Sequence, residues 1–146
     1  MVIKHIHYQT NDKKEEYYYS RPSGIDEYVL ILAHTPAFFH SNGKKYLLGK
    51  YQLFIYDKGQ PQLMYASDGD FVHDWFHFDM TDTEREAFNK LGIPFGEPIL
   101  VDEPSVLSEY IRMMAIEFNS GGAHSEEIIV NLMRSFFFKL SDQIRS

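Results

Sequence analysis

Residues 15–78 alternate short apolar runs with polar turns, a pattern typical of β-strands. Tyr28–Ala33 is apolar throughout, as expected of a strand that is buried on both faces. Asn42 and Gly43 form a strong tight-turn signal, and further short apolar runs follow up to residues 71–78. Many short strands separated by regular turns predict a sandwich or a barrel.

After residue 80 the apolar positions change to helical spacing. Thr81 or Asp82 can cap a short helix that runs through Leu91. Pro104 stands where the first residue of a second helix belongs, and Ser125 is expected to cap a third. The last helix carries a broad apolar stripe, which indicates either a wide buried face or a contact with a second subunit. Its members are Ile128, Ile129, Leu132, Met133, Phe136, Phe137, Leu140 and Ile144.

Composition narrows the class of protein. The 146 residues, 44% of them hydrophobic, suit one domain with a sizeable core, and the 16% of aromatic residues favours β structure. A net charge of −7 disfavours nucleic-acid binding by this chain. The absence of cysteine, of an apolar leader and of a membrane-spanning run leads us to expect a cytoplasmic protein with no membrane partner.

The sequence HDWFHF, residues 73–78, is the densest group of chemically active side chains. On a strand, His73 and His77 lie about 13 Å apart, too far to share a metal ion readily. His73, Trp75 and His77 are expected to point to one face and Phe76 to the other. No nucleophile motif accompanies them. Two interpretations stay open: Trp75 is part of the wall of a small-molecule pocket, or it is part of the core.

Residues 21–79 resemble the ligand-binding and dimerisation domain of AraC-type transcription regulators, and residues 124–140 resemble that family's second helix. The resemblance implies a mainly β fold, a cupin-like double-stranded β-helix (jelly roll) followed by two C-terminal α-helices. It implies an effector-binding barrel at 1–100, including a short helix near 82–91, and a helical dimerisation segment at 101–146. DNA is then contacted only through a helix-turn-helix domain absent from this chain. The matching pieces are Arg21-Pro22-Ser23-Gly24, the apolar run 28–32, Asn42-Gly43, Gly49, Gly59-Gln60-Pro61-Gln62 and Trp75-Phe76-His77-Phe78.

The same resemblance implies the ligand-binding residues. Arg21, His73 and Trp75 match the residues that hold the sugar in the arabinose-responsive member. Met64, with Tyr65 next to it, stands where that member has a further sugar-binding residue. We therefore expect a small polar effector, with a saccharide as the leading candidate. His77, further along the strand, is expected to have a structural role.

The resemblance also implies a homodimer, no cofactor and no catalysis. Glu127, Ile128, Asn131 and Phe138 match family positions at the contact between helices. The metal positions of cupins fall here on a poor set of ligands, so no metal is expected. Two alternatives remain, a cupin-fold sugar isomerase or epimerase and a dimerisation module with a filled barrel. The residues at the four cupin metal positions are Tyr19, Arg21, Ile25 and Gln62.

Overall fold

Eight strands and three helices follow one another in the computed structural model, which describes residues 1–145. All strand pairs are antiparallel and form two four-stranded sheets, in the orders β1-β8-β3-β6 and β2-β7-β4-β5. The expectation of a mainly β chain with C-terminal helices is confirmed. The elements are β1 (Val2–Asp12), β2 (Tyr18–Arg21), β3 (Tyr28–Ala33), β4 (Ala37–Ser41), β5 (Lys44–Leu48), β6 (Leu53–Tyr56), β7 (Gln62–Ala66), β8 (Phe71–Asp79), α1 (Asp82–Asn89), α2 (Pro104–Ser120) and α3 (Ser125–Gln143).

The first sheet is the middle of three layers. Strand β3 is buried at all six positions, because Leu30 and Leu32 pack toward the helices while Val29 and Ile31 pack toward the second sheet. This confirms the burial on both faces that its apolar sequence predicts. Two hydrophobic clusters result, one between the sheets and one between the first sheet and the helices.

The helices begin and end close to where the sequence signals stand. Thr81 caps α1 through a reciprocal pair of bonds with Glu84, and Gly121, at φ 63°, ends α2 in the left-handed conformation. The expected cap at Ser125 is wrong. Ser125 is the first residue of α3, the preceding position is His124, and the Ser125 hydroxyl instead donates to Glu117 Oε1 at 2.9 Å.

Part of the apolar stripe of α3 is covered by the chain itself. Phe136 and Phe137 lie against Phe76 and Phe78 of β8, with ring centroids 5.6 Å and 5.2 Å apart in the two closest pairs. Ile128, by contrast, remains 40% exposed. No helix within residues 1–145 combines the length and apolarity that crossing a membrane requires.

Strand β1 is the element that the sequence patterns did not predict. Its pairing with β8 shifts register between Ile3 and His5 and again between His7 and Thr10. Because of the first shift, Ile3 and Ile6 are both buried although they stand three residues apart. The alternation that normally reveals a strand is therefore absent, yet β1 forms one wall of the candidate site.

Candidate functional site

A cavity of about 280 Å³ lies between the two sheets, on the side where β1 and β2 stand. On the opposite side, large rings such as Phe39, Phe54 and Tyr56 fill the space between the sheets. His7 and Tyr19 line the cavity while remaining exposed, so it is open to solvent there. The lining residues are His7, Thr10, Asp12, Tyr17, Tyr19, Arg21, Val29, Ile31, Met64, His73, Trp75 and His77.

Two contacts, with Phe71 and with Asp12, fix the ring of His73. Its ring stacks on Phe71, with centroids 4.2 Å apart and planes 10° apart, and its Nε2 lies 2.9 Å from Asp12 Oδ2. Burial lowers the pKa of His73, while the Asp12 carboxylate acts in the opposite direction. A neutral ring that donates from Nε2 leaves Nδ1 as an acceptor, and Nδ1 has no hydrogen-bond partner within residues 1–145.

Trp75 is the aromatic surface of the cavity. Its Nε1 donates to Thr10 Oγ1 at 3.1 Å, and the ring of His7 stacks near it, with centroids 5.7 Å apart. The indole is only partly buried and packs beside the cluster between the sheets. It can therefore offer an apolar face to the C–H groups of a ligand.

Arg21 is the only arginine among the residues that line the cavity. Its Nη1 donates to Gln62 Oε1 at 2.7 Å, and its guanidinium carbon lies 5.0 Å from the centre of the Tyr19 ring. Arg21 and Gln62 are cross-strand neighbours on β2 and β7, which explains the bond. Gln62 Nε2 is buried and has no partner in the described part of the chain.

Tyr17 contributes a hydroxyl that the sequence patterns did not single out. The residue is only 4% exposed, and its ring packs against Phe71 and His73. Burial raises the pKa of Tyr17, and the charge of Asp12 raises it further, so the phenol stays protonated. Its hydroxyl makes no hydrogen bond within residues 1–145, and it is thus free to serve a ligand.

His77 is in the lining rather than outside it. Its Nδ1 lies 3.1 Å from Glu27 Oε1, and burial is the main cause that lowers its pKa. The expected division of β8 is confirmed, since His73, Trp75 and His77 share the cavity face while Phe76 packs toward the helices. The contact with Glu27 agrees with a structural role for His77. The His77 side chain also forms part of the cavity wall.

The structure brings together four of the five residues expected to bind ligand. Arg21, His73, Trp75 and Met64 all line the cavity. Tyr65 is not in the lining, because adjacent residues of a strand face opposite sides. Its hydroxyl lies 2.9 Å from His40 Nε2 instead. Sequence reasoning also missed His7, Thr10 and Asp12 on β1, whose only signal was the polar and aromatic composition of an irregular strand.

The residues expected at a dimer contact lie on one side of α3. Glu127, Ile128, Asn131 and Phe138 are all exposed, with Phe138 at 58%, and they lie opposite the buried side of the helix. With respect to metals, no three His, Asp or Glu side chains within residues 1–145 come close enough together to hold an ion.

Comparison with known proteins gives a fold relationship. No family model matches the chain, and no curated protein matches it. It is similar to the crystal structure of the AraC-like transcriptional activator CuxR, with a TM-score of 0.59 and 14% identity over 88% of this chain and 50% of that chain. A weaker similarity, with a TM-score of 0.39 and 17% identity, covers 52% of this chain and 63% of the plu4264 protein from Photorhabdus luminescens. This chain thus spans less than two thirds of either structure, and at these identities the similarity concerns the fold.

Proposed function

We propose that this chain is the effector-binding and dimerisation domain of an AraC-type transcription regulator, with a cupin-like β fold. In this proposal the cavity between the sheets binds a small polar molecule, most simply a saccharide, and does not catalyse a reaction. DNA contact belongs to a helix-turn-helix domain of the kind that full-length members carry, and the role implies a cytoplasmic location.

The observation that carries the proposal is the composition of the cavity wall. Arg21, His73 and Trp75, which stand far apart in the sequence, line one cavity of about 280 Å³. A guanidinium group can bond neighbouring hydroxyls, a neutral imidazole can donate and accept, and an indole can cover a sugar's C–H face. A few polar groups around an apolar surface are typical of small-molecule sites.

The similarity to CuxR adds support of a different kind. The name of that structure describes it as an AraC-like transcriptional activator, and this chain matches about half of it. A sensor domain joined to a separate DNA-reading domain would account for that proportion. The open space beside Trp75 favours a ligand-binding module over a dimerisation module with a filled barrel.

Dimerisation is proposed through the exposed side of α3. Ile128 and Phe138 are large apolar side chains that solvent reaches, at 40% and 58% exposure. Asn131 lies between them on the same side of the helix, where a polar residue in a helical seam can fix the register.

A thermal unfolding screen tests the ligand part of the proposal. A ligand that binds only the folded chain stabilises it by about 2.7 kcal/mol at 100 times its Kd. We expect one or more mono- or disaccharides to raise the melting temperature of the wild-type chain. Arg21→Ala should abolish that rise, whereas Arg112→Ala, which removes an arginine on α2 outside the cavity, should leave it unchanged. Equal rises in both variants would refute the site.

A further inference from the structure

Arg21 differs from every other arginine of the chain in its surroundings. Arg85, Arg112, Arg134 and Arg145 each have a carboxylate oxygen within 4.0 Å, on Asp57, Glu109, Glu84 and Asp102 respectively. No carboxylate within residues 1–145 forms an ion pair with Arg21, whose hydrogen-bond partner is the neutral side chain of Gln62. A partly buried cation without a counter-ion is costly unless a ligand supplies the charge.

The guanidinium group keeps a free edge. Nη1 is occupied by Gln62 Oε1, whereas Nε and Nη2 have no partner within the described part of the chain and are not sealed from solvent. Nε and Nη2 point in parallel, which is the geometry that binds both oxygens of one carboxylate. The bond to Gln62 and the contact with Tyr19 hold the group in place for such a ligand.

Charged groups of both signs stand in the cavity lining. Arg21 and His77 both line the cavity. His73, whose Nε2 lies 2.9 Å from Asp12 Oδ2, is about 13 Å from His77 along β8. The free hydroxyl of Tyr17 packs beside His73. A ligand with one anionic group and several hydroxyl groups would fit this lining.

We propose that the ligand of this cavity carries a single carboxylate, as a sugar acid does, and that Arg21 binds it. The inference rests on the proposed function and specifies the ligand class. One free guanidinium edge matches one carboxylate, while the Asp12 carboxylate in the same lining disfavours the doubly charged phosphate of a sugar phosphate more than it disfavours a singly charged acid. The hydroxyl groups of the acid then reach Tyr17 and the His73–Asp12 pair, and its C–H face lies against Trp75.

Calorimetric titration with matched pairs tests the inference. The probes are galactose and galacturonate, glucose and glucuronate, and glucose 6-phosphate. We expect at least one uronate to bind 10-fold or more tightly than its neutral parent. Arg21→Gln should weaken the uronate by about 10-fold to 100-fold and the neutral parent by less, because only the uronate loses a charged partner. Arg21→Lys should restore part of the preference.

The outcomes separate this inference from the proposed function. The proposal of a carboxylate ligand is overturned if a neutral sugar binds as tightly as its acid, or if a sugar phosphate binds more tightly than the uronate. Either result would still support the proposed sugar site. Equal losses for acid and parent in Arg21→Gln also overturn it. If no compound of the panel binds, both proposals are contradicted. Circular dichroism of each variant verifies that the fold is intact.

Discussion

The Nε2 atom of His73 lies 2.9 Å from Oδ2 of Asp12, and this contact joins β8 to the irregular strand β1 beside the cavity. It fixes the ring of a buried histidine and, in the neutral form, places the proton on Nε2. Removal of the carboxylate by Asp12→Ala leaves both ring nitrogens without a partner within residues 1–145. We expect the free energy of unfolding to fall by about 1–3 kcal/mol, measured by urea denaturation.

A matched control is available for this change. Asp68 is exposed in the turn between β7 and β8, and Asp68→Ala should alter stability by less than about 0.5 kcal/mol. If the two variants unfolded at the same urea concentration, the His73–Asp12 contact would have no energetic importance.

His73, which is buried, and His77, which is half-buried, predict a loss of stability in acid. Burial lowers the pKa of His73 and of His77 in the folded chain, and in the unfolded chain both titrate near the ordinary value of about 6.5. Below that pH the unfolded state binds more protons than the folded state, so the free energy of unfolding falls as the pH falls. We expect a lower urea midpoint at about pH 5.5 than at about pH 7.5.

Substitution isolates the histidines responsible. The double variant His73→Gln, His77→Gln should show a smaller change of midpoint between the two pH values than the wild-type chain does. His124→Gln, at an exposed position before α3, should keep the wild-type change. An undiminished change in the double variant would assign the pH dependence to other groups.

Asp74 connects the cavity strand to the helices. Its side chain is fully buried and accepts hydrogen bonds from the Gln9 backbone N–H at 2.8 Å and from Ser108 Oγ at 2.7 Å, and it lies 2.8 Å from His34 Nε2. Asp74→Ala leaves these partners without their hydrogen-bond acceptor and should lower the free energy of unfolding by about 3–5 kcal/mol. Ser108→Ala removes one partner and should cost about 1 kcal/mol in chemical denaturation. A loss below 1 kcal/mol for Asp74→Ala would contradict this interpretation.

The exposed side of α3 predicts the state of assembly. We expect sedimentation to show a dimer at high micromolar concentration, and Phe138→Glu to shift it to a monomer by placing a charge in the contact. Leu47→Glu makes the same kind of change at a comparably exposed residue of β5 and should leave the dimer intact. A monomeric wild-type chain, or dissociation by Leu47→Glu alone, would place the contact elsewhere or remove it.

Elements with regular local patterns could be predicted from the sequence. Tyr28–Ala33 appeared as a strand buried on both faces, Thr81 marked the N-cap of α1, and Pro104 marked the first residue of α2. Strand β1 could not be predicted in this way, because two register shifts break its alternation and Gln9 adopts a positive φ of 52°. Such shifts are set by pairing with β8, sixty and more residues away.

The site was predictable on one side only. The face of β8 and the position of Arg21 followed from strand alternation and from the family resemblance. Asp12 and Tyr17 come from a strand and a turn whose contacts with His73 arise only when β1 folds onto β8. Tyr65 lies outside the cavity lining for a local reason, since only one of two adjacent strand residues can face the cavity.

Titration of Trp75 emission tests the central claim, that this cavity binds a small polar ligand, most directly. Trp75 is the only tryptophan of the chain, so no other indole contributes to the signal. We predict that a saccharide or a sugar acid shifts or quenches the emission in a saturable way, with a Kd of micromolar to millimolar, roughly −8 to −4 kcal/mol. Arg21→Ala should remove the response. The account would be contradicted if no compound of either class perturbed Trp75, or if a compound that did so bound the Arg21→Ala chain unchanged.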